Sequence, residues 1–390
     1  MSHPASDLLG PRERVVAGLM SGTSMDGIDA AVVRLSGSGR DVQIQTLGFA
    51  CTSYSDDLRQ RLAAQVEAGT SDVRGLALLH AALAESFAAV VHDALDDAGL
   101  ASGDLDLVGS HGQTVQHVPE PVSIDGRPIQ ATLQIGDPAR LAVRLGVPVI
   151  ADFRSADVAR GGQGAPLAPY LDDCVFAHET ETRGLLNLGG IANITILPAG
   201  EGPEAARAFD TGPANMLADA LTLRLTGQPY DRDGALAASG TPDLALVREL
   251  LETLVFRQEP PKSTGREAFG ADYVGMLVTR GPSEPKDMIA TAVALTALSI
   301  ADAVDRFVPH HLDRVLASGG GVHNRALMQM LEDALPCPVE TTEASGVDPD
   351  AKEAILFALL AHEWANGVRT GLPAVTGASG PAMQGALYLP

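Results

Sequence analysis

The chain has 390 residues, with 27 Lys and Arg against 49 Asp and Glu, a formal net charge of −22. With 45% hydrophobic and 19% charged residues it has globular composition, which excludes wholesale disorder, and its length suits two domains or one large α/β unit. A surface this acidic repels a phosphate backbone, so no nucleic acid and no anionic membrane is expected as a partner; a nucleotide would need local backbone donors or a bound cation. Cys51, Cys174 and Cys337 are far apart and form no CxxC pair, which argues against a disulfide framework or a cysteine zinc site. Met1 to Arg14 is polar, and the most apolar later stretch, Ala290 to Val304, is interrupted by Thr, Ser and Asp and reads as too short for a bilayer. The cytoplasm is the expected location.

Strand and helix patterns alternate from end to end, which predicts an α/β architecture. Val15–Met20 reads as a strand, Ile28–Leu35 as a second after a Gly- and Ser-rich turn, and Val42–Leu47 as a third, so three antiparallel strands open the chain. Helices follow at Asp56–Glu67 and Val73–Ala98, the latter stopping near Gly99. Asp106–Ser110 and Val147–Asp152 read as short strands, with Ser110-His111-Gly112-Gln113-Thr114 at the end of the first. Near residue 184 the opening theme recurs as two strands around Gly189 and Gly190. Phe209–Pro213 then leads into a helix from Ala214 to Leu225, stopped by Gly227. A late strand, Arg314–Ala317, runs through Ser318-Gly319-Gly320-Gly321 into a helix from Asn324 to Leu335.

The first candidate site is the turn Gly22-Thr23-Ser24-Met25-Asp26-Gly27-Ile28-Asp29. Its glycines can expose successive backbone N–H groups to phosphate oxygens, Thr23 and Ser24 add hydroxyls, and Asp26 or Asp29 can hold Mg²⁺ directly or through water. It is not a Walker A loop: no Gly-Lys-Ser/Thr occurs and a strand follows. A plain hairpin turn is the bland reading. Asn187-Leu188-Gly189-Gly190 repeats the form in the second half, and Gly319-Gly320-Gly321 opens a helix, where glycines let a flat ring or phosphate approach the backbone. Three such loops together point to a bound nucleotide.

Among the carboxylates, Asp152 ends a strand and Asp157 follows within one turn, ahead of a Gly-rich elbow. Asp157 suits a general base, or else a helix cap paired with Arg154 or Arg160. Asp210 precedes Thr211-Gly212 and can cap the next helix or hold a metal, with capping the better local reading. His111 and Gln113 concentrate hydrogen-bonding side chains suited to a sugar, although His111 can equally be a structural histidine. No HExxH and no GxSxG occurs.

Together these motifs resemble the anhydro-N-acetylmuramic acid kinases, a family within the actin, sugar kinase and heat-shock ATPase superfamily. The resemblance covers nearly the whole chain, through Gly18–Asp29, Ser110–Thr114, Gln134–Pro138, Ala151–Pro169, Asn187–Asn193, Phe209–Asn215, Lys262–Glu267 and Ser318–Asn324, in the family's order. It implies two actin-like (ribonuclease H-like) α/β domains with a nucleotide cleft between them: residues 1–180, which 372–390 can rejoin, and 181–371. It further implies that ATP and Mg²⁺ are used to open the ring of 1,6-anhydro-N-acetylmuramic acid by hydrolysis and phosphorylate its 6-oxygen, giving N-acetylmuramic acid 6-phosphate and ADP in cell-wall recycling. By motif position Asp157 becomes the base, Gly22 to Asp29 the phosphate loop and Asp26 the Mg²⁺ side. Asn187, Gly189, Gly190, Asp210 and Gly212 line the other phosphate wall, while Gly319 to Gly321 lie against adenosine. His111, Gln113, Arg154 and Glu353 contact the sugar, and a homodimer is expected. Another sugar or acyl kinase of the superfamily is the rival reading, distinguished by its substrates. A non-catalytic ATP-switched interaction protein would need a peptide-binding domain, for which the sequence leaves no residues.

Overall fold

The computed structural model describes residues 8–22, 25, 27–67, 72–260, 262, 264–309 and 311–390. The chain divides into two units, Met1–Val175 with Ala351–Pro390, and Phe176–Asp350. The first unit therefore takes the chain back at Ala351 rather than at 372, and with it the helix Lys352–Asn366.

In the first unit β1 (Arg14–Ser21), β2 (Gly27–Ser36) and β3 (Gln43–Ser53) form an antiparallel meander. Next come β4 (Leu107–Ile124), β5 (Arg127–Ile135) and β6 (Val149–Ala151); β4 runs parallel to β1, and β6 parallel to β4. The sheet order is β3-β2-β1-β4-β6, with the short final strand Ala386–Tyr388 on the outer side of β6. Alternation along the strands assigns a helix to each face. Ala17, Leu19 and Val108 join Leu83, Phe87 and Val91 of the helix Val73–Ala98 in one core. That helix starts where the Asp72 carboxylate accepts the N–H groups of Arg74 and Gly75, and ends at Gly99 with φ 66°. Gly18 and Gly109, between those apolar positions, face the other way. A Cβ on Gly18 would lie 1.9 Å from Ala354 O, and one on Gly109 2.0 Å from Phe357 O, so Lys352–Asn366 rests directly on bare backbone. Its first turn is pinned by a buried ion pair, Lys352 Nζ to Asp172 Oδ1 at 2.7 Å.

The strand expected at 106–110 is much longer. β4 runs on through Thr114 and pairs with β5 as a two-stranded arm, turning at Asp125-Gly126, where both residues have positive φ. Prolines 119, 121 and 128 hide this strand in the sequence by interrupting its alternation.

The second unit repeats the plan with β7 (Arg183–Leu188), β8 (Ile191–Leu197), β9 (Arg207–Pro213), β10 (Arg314–Ser318) and β11 (Val339–Thr341), in the order β9-β8-β7-β10-β11. Its first three strands are antiparallel, and β10 and β11 follow in parallel. Ile289, Val293 and Ile300 of the helix Pro285–Phe307 pack with Leu186, Ile194 and Phe209. Two helices, Val73–Ala98 and Pro285–Phe307, are long and apolar enough to cross a bilayer by length and composition. The stretch Ala290–Val304, expected to be too short, lies within the second, whose apolar window is 78% buried inside the fold.

Candidate functional site

In the first unit the Gly-rich turn joins β1 to β2. Thr23, Ser24 and Asp26 lie outside the described residues. Of the rest, Met25 takes φ 55° with its side chain buried, and its N–H donates to Gly22 O at 3.2 Å. Gly27 is required by packing, since a Cβ there would approach Thr52 O to 2.7 Å. Ile28 is buried in the core and Asp29 is half-buried on β2. Gln113, expected at the sugar, is fully buried and occupied elsewhere: Oε1 accepts from Ser21 Oγ at 2.7 Å, and Nε2 donates to Gly22 O at 3.0 Å and Thr114 O at 3.2 Å. Its amide thus holds the start of the turn, and that is the correction to its expected role.

Three of the expected sugar residues do come together. Arg154 donates from Nε to His111 Nε2 at 2.9 Å and from Nη1 to Gly164 O at 2.7 Å. Burial pulls the Arg154 pKa down to about 10, with the Glu353 carboxylate acting in the opposite direction. Burial and then the Arg154 charge drive the His111 pKa well below its usual value, so the ring is neutral and accepts at Nε2. The ring also lies 4.7 Å from that of Phe357, one helical turn beyond exposed Glu353. Packing of Lys352–Asn366 against Gly18 and Gly109 is what brings Glu353 to this group.

The structure corrects the role expected of Asp157. Its side chain is fully buried, Oδ2 accepts from Gly164 N and Oδ1 from Thr376 Oγ1, both at 2.8 Å. A Cβ on Gly162 would lie 2.3 Å from Oδ2. A base must reach a water or hydroxyl, and this carboxylate instead fastens the Gly-rich elbow to the C-terminal segment. Asp152 is exposed, in the left-handed region at φ 64°, and accepts from Ser155 N at 3.3 Å.

In the second unit the β7–β8 turn meets the helix Asn215–Thr226. Ala214 N and Met216 N donate to Gly190 O, Asn215 N to Gly189 O, and Asn215 Nδ2 to Leu188 O. Gly319, at φ 84°, and Gly321 pack against this turn; a Cβ on either would meet Asn187 Oδ1 at 2.7 Å or Leu188 Cβ at 2.6 Å. Gly189, Gly190 and Gly320 differ. None has positive φ, and a Cβ at each would find its nearest neighbour only at 3.5–3.7 Å, so the protein's own packing does not demand glycine there. Bare backbone at these three positions fits close approach by a flat or anionic group.

Asp210 lies within β9, so it does not cap the following helix, whose N-cap is Ala214. It lines a pocket with Thr211, Gly212, Val255, Gln258, Lys262 and Thr264. Gly212, at φ 157°, is tight there, since a Cβ would meet Ser299 Oγ at 2.7 Å. Thr264 N donates to Asp210 Oδ2 at 2.8 Å. Lys262 donates to Phe256 O at 3.2 Å and lies 4.9 Å over the Phe307 ring. Lys262 and Thr264 carry no local signal in the sequence, because their contact with Asp210 crosses more than fifty residues. Among the described residues no group of three or more His, Cys, Asp or Glu could hold a metal.

Two units with this shared strand order, each with a Gly-rich turn between its first two strands, define the actin-like class of nucleotide-handling proteins. The sequence model of the anhydro-N-acetylmuramic acid kinases matches residues 14–390. The chain is 52% identical to the anhydro-N-acetylmuramic acid kinase of Salinibacter ruber, covering 97% of this chain and 96% of that one. It is 42% identical to that of Caldanaerobacter subterraneus subsp. tengcongensis, covering 97% of each. Among solved structures, it is similar to the Acidaminococcus fermentans (R)-2-hydroxyglutaryl-CoA dehydratase component A, with a TM-score of 0.46, 11% identity and coverage of 90% and 99%. The chain belongs to the anhydro-N-acetylmuramic acid kinase family, and it is a phosphotransferase.

Proposed function

We propose that the protein uses ATP and Mg²⁺ to convert 1,6-anhydro-N-acetylmuramic acid into N-acetylmuramic acid 6-phosphate and ADP, the reading carried by the family match over residues 14–390. Water adds at the anomeric carbon, the bond from that carbon to the 6-oxygen breaks, and the released oxygen takes the γ-phosphoryl group. Water is a weak nucleophile at neutral pH, and a positioned carboxylate contributes about 10²–10⁴-fold. Asp210 takes this role, because it lines a pocket while Asp157 is buried with both oxygens engaged.

His111, Arg154 and Glu353 hold the sugar. The neutral imidazole accepts from Arg154 and so fixes the guanidinium, whose charge suits the lactyl carboxylate of the substrate. The turn from Gly22 to Asp29 carries phosphates, as does the bare backbone of Gly189 and Gly190 beside Asn187 and Gly212, and Gly320 faces adenosine with Gly319 and Gly321 behind it. Mg²⁺ keeps several waters and needs only one or two carboxylates beside the substrate phosphates, a role assigned to half-buried Asp29 and to Asp26, three residues before it in the sequence. The ion supplies charge neutralisation on the transferring group. A homodimer in the cytoplasm completes the proposal; three free cysteines suit a reducing compartment.

The test is ADP release from Mg-ATP with 1,6-anhydro-N-acetylmuramic acid, using N-acetylmuramic acid as comparison. Turnover that depends on the anhydro sugar is expected, lowered about 10²–10⁴-fold in Asp210→Asn with ATP still bound. Asp157→Asn is expected to keep its turnover within tenfold and to lose about 1–3 kcal/mol of stability. Phosphorylation of the open-ring sugar alone would make this an ordinary sugar kinase. Loss of turnover in Asp157→Asn at unchanged stability would return the base role to Asp157.

A further inference from the structure

The arm formed by β5 and the outer part of β4 is amphipathic in an inverted sense. Side chains opposite each other across the ladder share a face, and successive residues of a strand alternate faces. On one face the register pairs Thr114 with Gln134 and His117 with Thr132. On the other it pairs Val118 with Ala131 and Val122 with Ile129, with Gln116–Leu133 at the base and Ile124–Arg127 at the tip. The first face is polar and half-buried, and hydrogen bonds stitch it together. His117 Nδ1 lies 3.1 Å from Thr132 Oγ1, and Gln134 Nε2 donates to Thr132 Oγ1 at 2.8 Å and to Thr114 Oγ1 at 3.2 Å. The second face is largely apolar and bare: Val122 is 50% exposed, Ile124 58%, Ile129 40% and Leu133 46%. Single exposed apolar side chains need no explanation, but four on one face of one ribbon mark a contact surface. A two-stranded ribbon is only marginally stable by itself, so a cover on this face would also steady the arm.

Charge narrows what the cover can be. Between Gln116 and Leu133 the charged residues are Glu120, Asp125 and Arg127, so the arm is close to neutral in a chain of net charge −22. An anionic lipid surface is repelled by such a chain, and a basic protein is drawn to its acidic surface rather than to the arm. Two copies repel each other over most of their surface and meet at least cost where charge is sparse. Arg127 is exposed on the apolar face and has no carboxylate partner among the described residues, while Glu120 and Asp125 are exposed nearby in the arm. Opposite charges beside one apolar face make a self-complementary patch, as a two-fold contact requires. We propose that two copies of this chain associate through the apolar faces of their β4–β5 arms, a surface for the homodimer of the reading above, on which this rests. The Val122–Ile129 pair is the centre of the contact, and Arg127 of one copy meets an acidic side chain of the other.

The experiment is sedimentation velocity over a concentration series. It compares the native chain with the double variant Val122→Thr and Ile129→Thr, which keeps β-branched shape and strand preference while removing apolar surface. Leu254→Thr, at an 81% exposed position in the second unit, is the control. The native chain should be a dimer, and the double variant should raise the dimer Kd about 100-fold or more, because each copy loses two apolar anchors. Leu254→Thr should leave the Kd as it is. Arg127→Glu should weaken the dimer about tenfold at low salt and less at high salt. If the double variant does not fold, amide exchange in the native chain takes its place: protection across residues 116–133 should rise with protein concentration, and protection independent of concentration would overturn the proposal. A double variant as dimeric as the native chain would overturn this surface and leave a homodimer built on another face. A native chain that stays monomeric throughout the series would overturn the surface and the homodimer together, while sugar-dependent ADP release decides the catalytic reading separately. Binding of the native chain to neutral phosphatidylcholine vesicles, lost in the double variant, would make the cover a lipid surface and overturn the proposal.

Discussion

The two units share a strand order, yet they fasten their Gly-rich turns by different means. In the first unit the start of the β1–β2 turn is held by buried side chains, with Gln113 bridging Ser21 and Gly22. In the second unit the β7–β8 turn is held by backbone, as the first N–H groups of the helix Asn215–Thr226 donate to Gly189 O and Gly190 O. A helix N-terminus always has N–H groups to satisfy, and here the turn's carbonyls satisfy them. The same asymmetry governs the sheets. A helix lies on bare glycine backbone in the first unit, while Gly184 on β7 faces side-chain tips, its nearest being Ile194 Cδ1 at 3.2 Å. Shared topology therefore fixes where the turns are, and local chemistry decides how rigidly each is held.

The largest expected effect breaks the sheet half of that comparison. Gly18→Ala would drive a Cβ to 1.9 Å from Ala354 O and 2.6 Å from Ala358 N, both main-chain atoms that cannot step aside. The cost should exceed about 3 kcal/mol, the upper end for overpacking, and soluble protein should be scarce. Gly184→Ala meets only flexible methyl tips and should change stability by less than about 1 kcal/mol in a denaturant titration. Equal behaviour of the two variants would mean that the helix Lys352–Asn366 does not rest on Gly18.

Next in size is the ion pair at the start of that helix. Lys352→Met strands the Asp172 carboxylate, whose side chain is only 2% exposed, and should cost about 3–5 kcal/mol. Adding Asp172→Asn to it should recover much of the loss, because a neutral amide is far cheaper to bury than an unpaired charge. A double variant no more stable than Lys352→Met would show that the pair contributes through packing alone. Since Glu353 is the next residue, weaker sugar binding should accompany the single variant and lessen in the double.

Much of this molecule was legible in the sequence, and what was not follows a pattern. The two hairpins and the helices Asp56–Glu67 and Val73–Ala98 read correctly because their periodicities and caps are local. The return of Ala351–Pro390 to the first unit was not legible at 351, since it depends on clearance over Gly18 and Gly109, hundreds of residues away. The burial of Asp157 and the place of Asp210 were hidden from the sequence for the same reason. Asp157 sits in an inviting Gly-rich elbow, but Thr376 from the far end of the chain closes on it. Asp210 reads locally as a helix cap, and only the strand β9 and the distant Thr264 amide reveal it as the wall of a pocket.

The smallest expected effect tests the two fastenings directly. Gln113→Leu keeps the bulk of the side chain but leaves Gly22 O and Ser21 Oγ short of a buried partner, which should cost about 1–3 kcal/mol. Because the turn it holds is the proposed phosphate loop, the KM for ATP should rise while the KM for the sugar stays close to native. Asn215→Ala removes a single side-chain bond, Nδ2 to Leu188 O at 3.1 Å, and leaves the helix amides on Gly189 and Gly190 in place. Its cost should be about 0.5–1.5 kcal/mol with little change in ATP binding. Hydrogen exchange would sharpen the contrast: protection near Gly22 should fall in Gln113→Leu, while protection at residues 214–216 should survive in Asn215→Ala. Loss of protection in both would mean that side chains, not the helix terminus, hold the second turn as well.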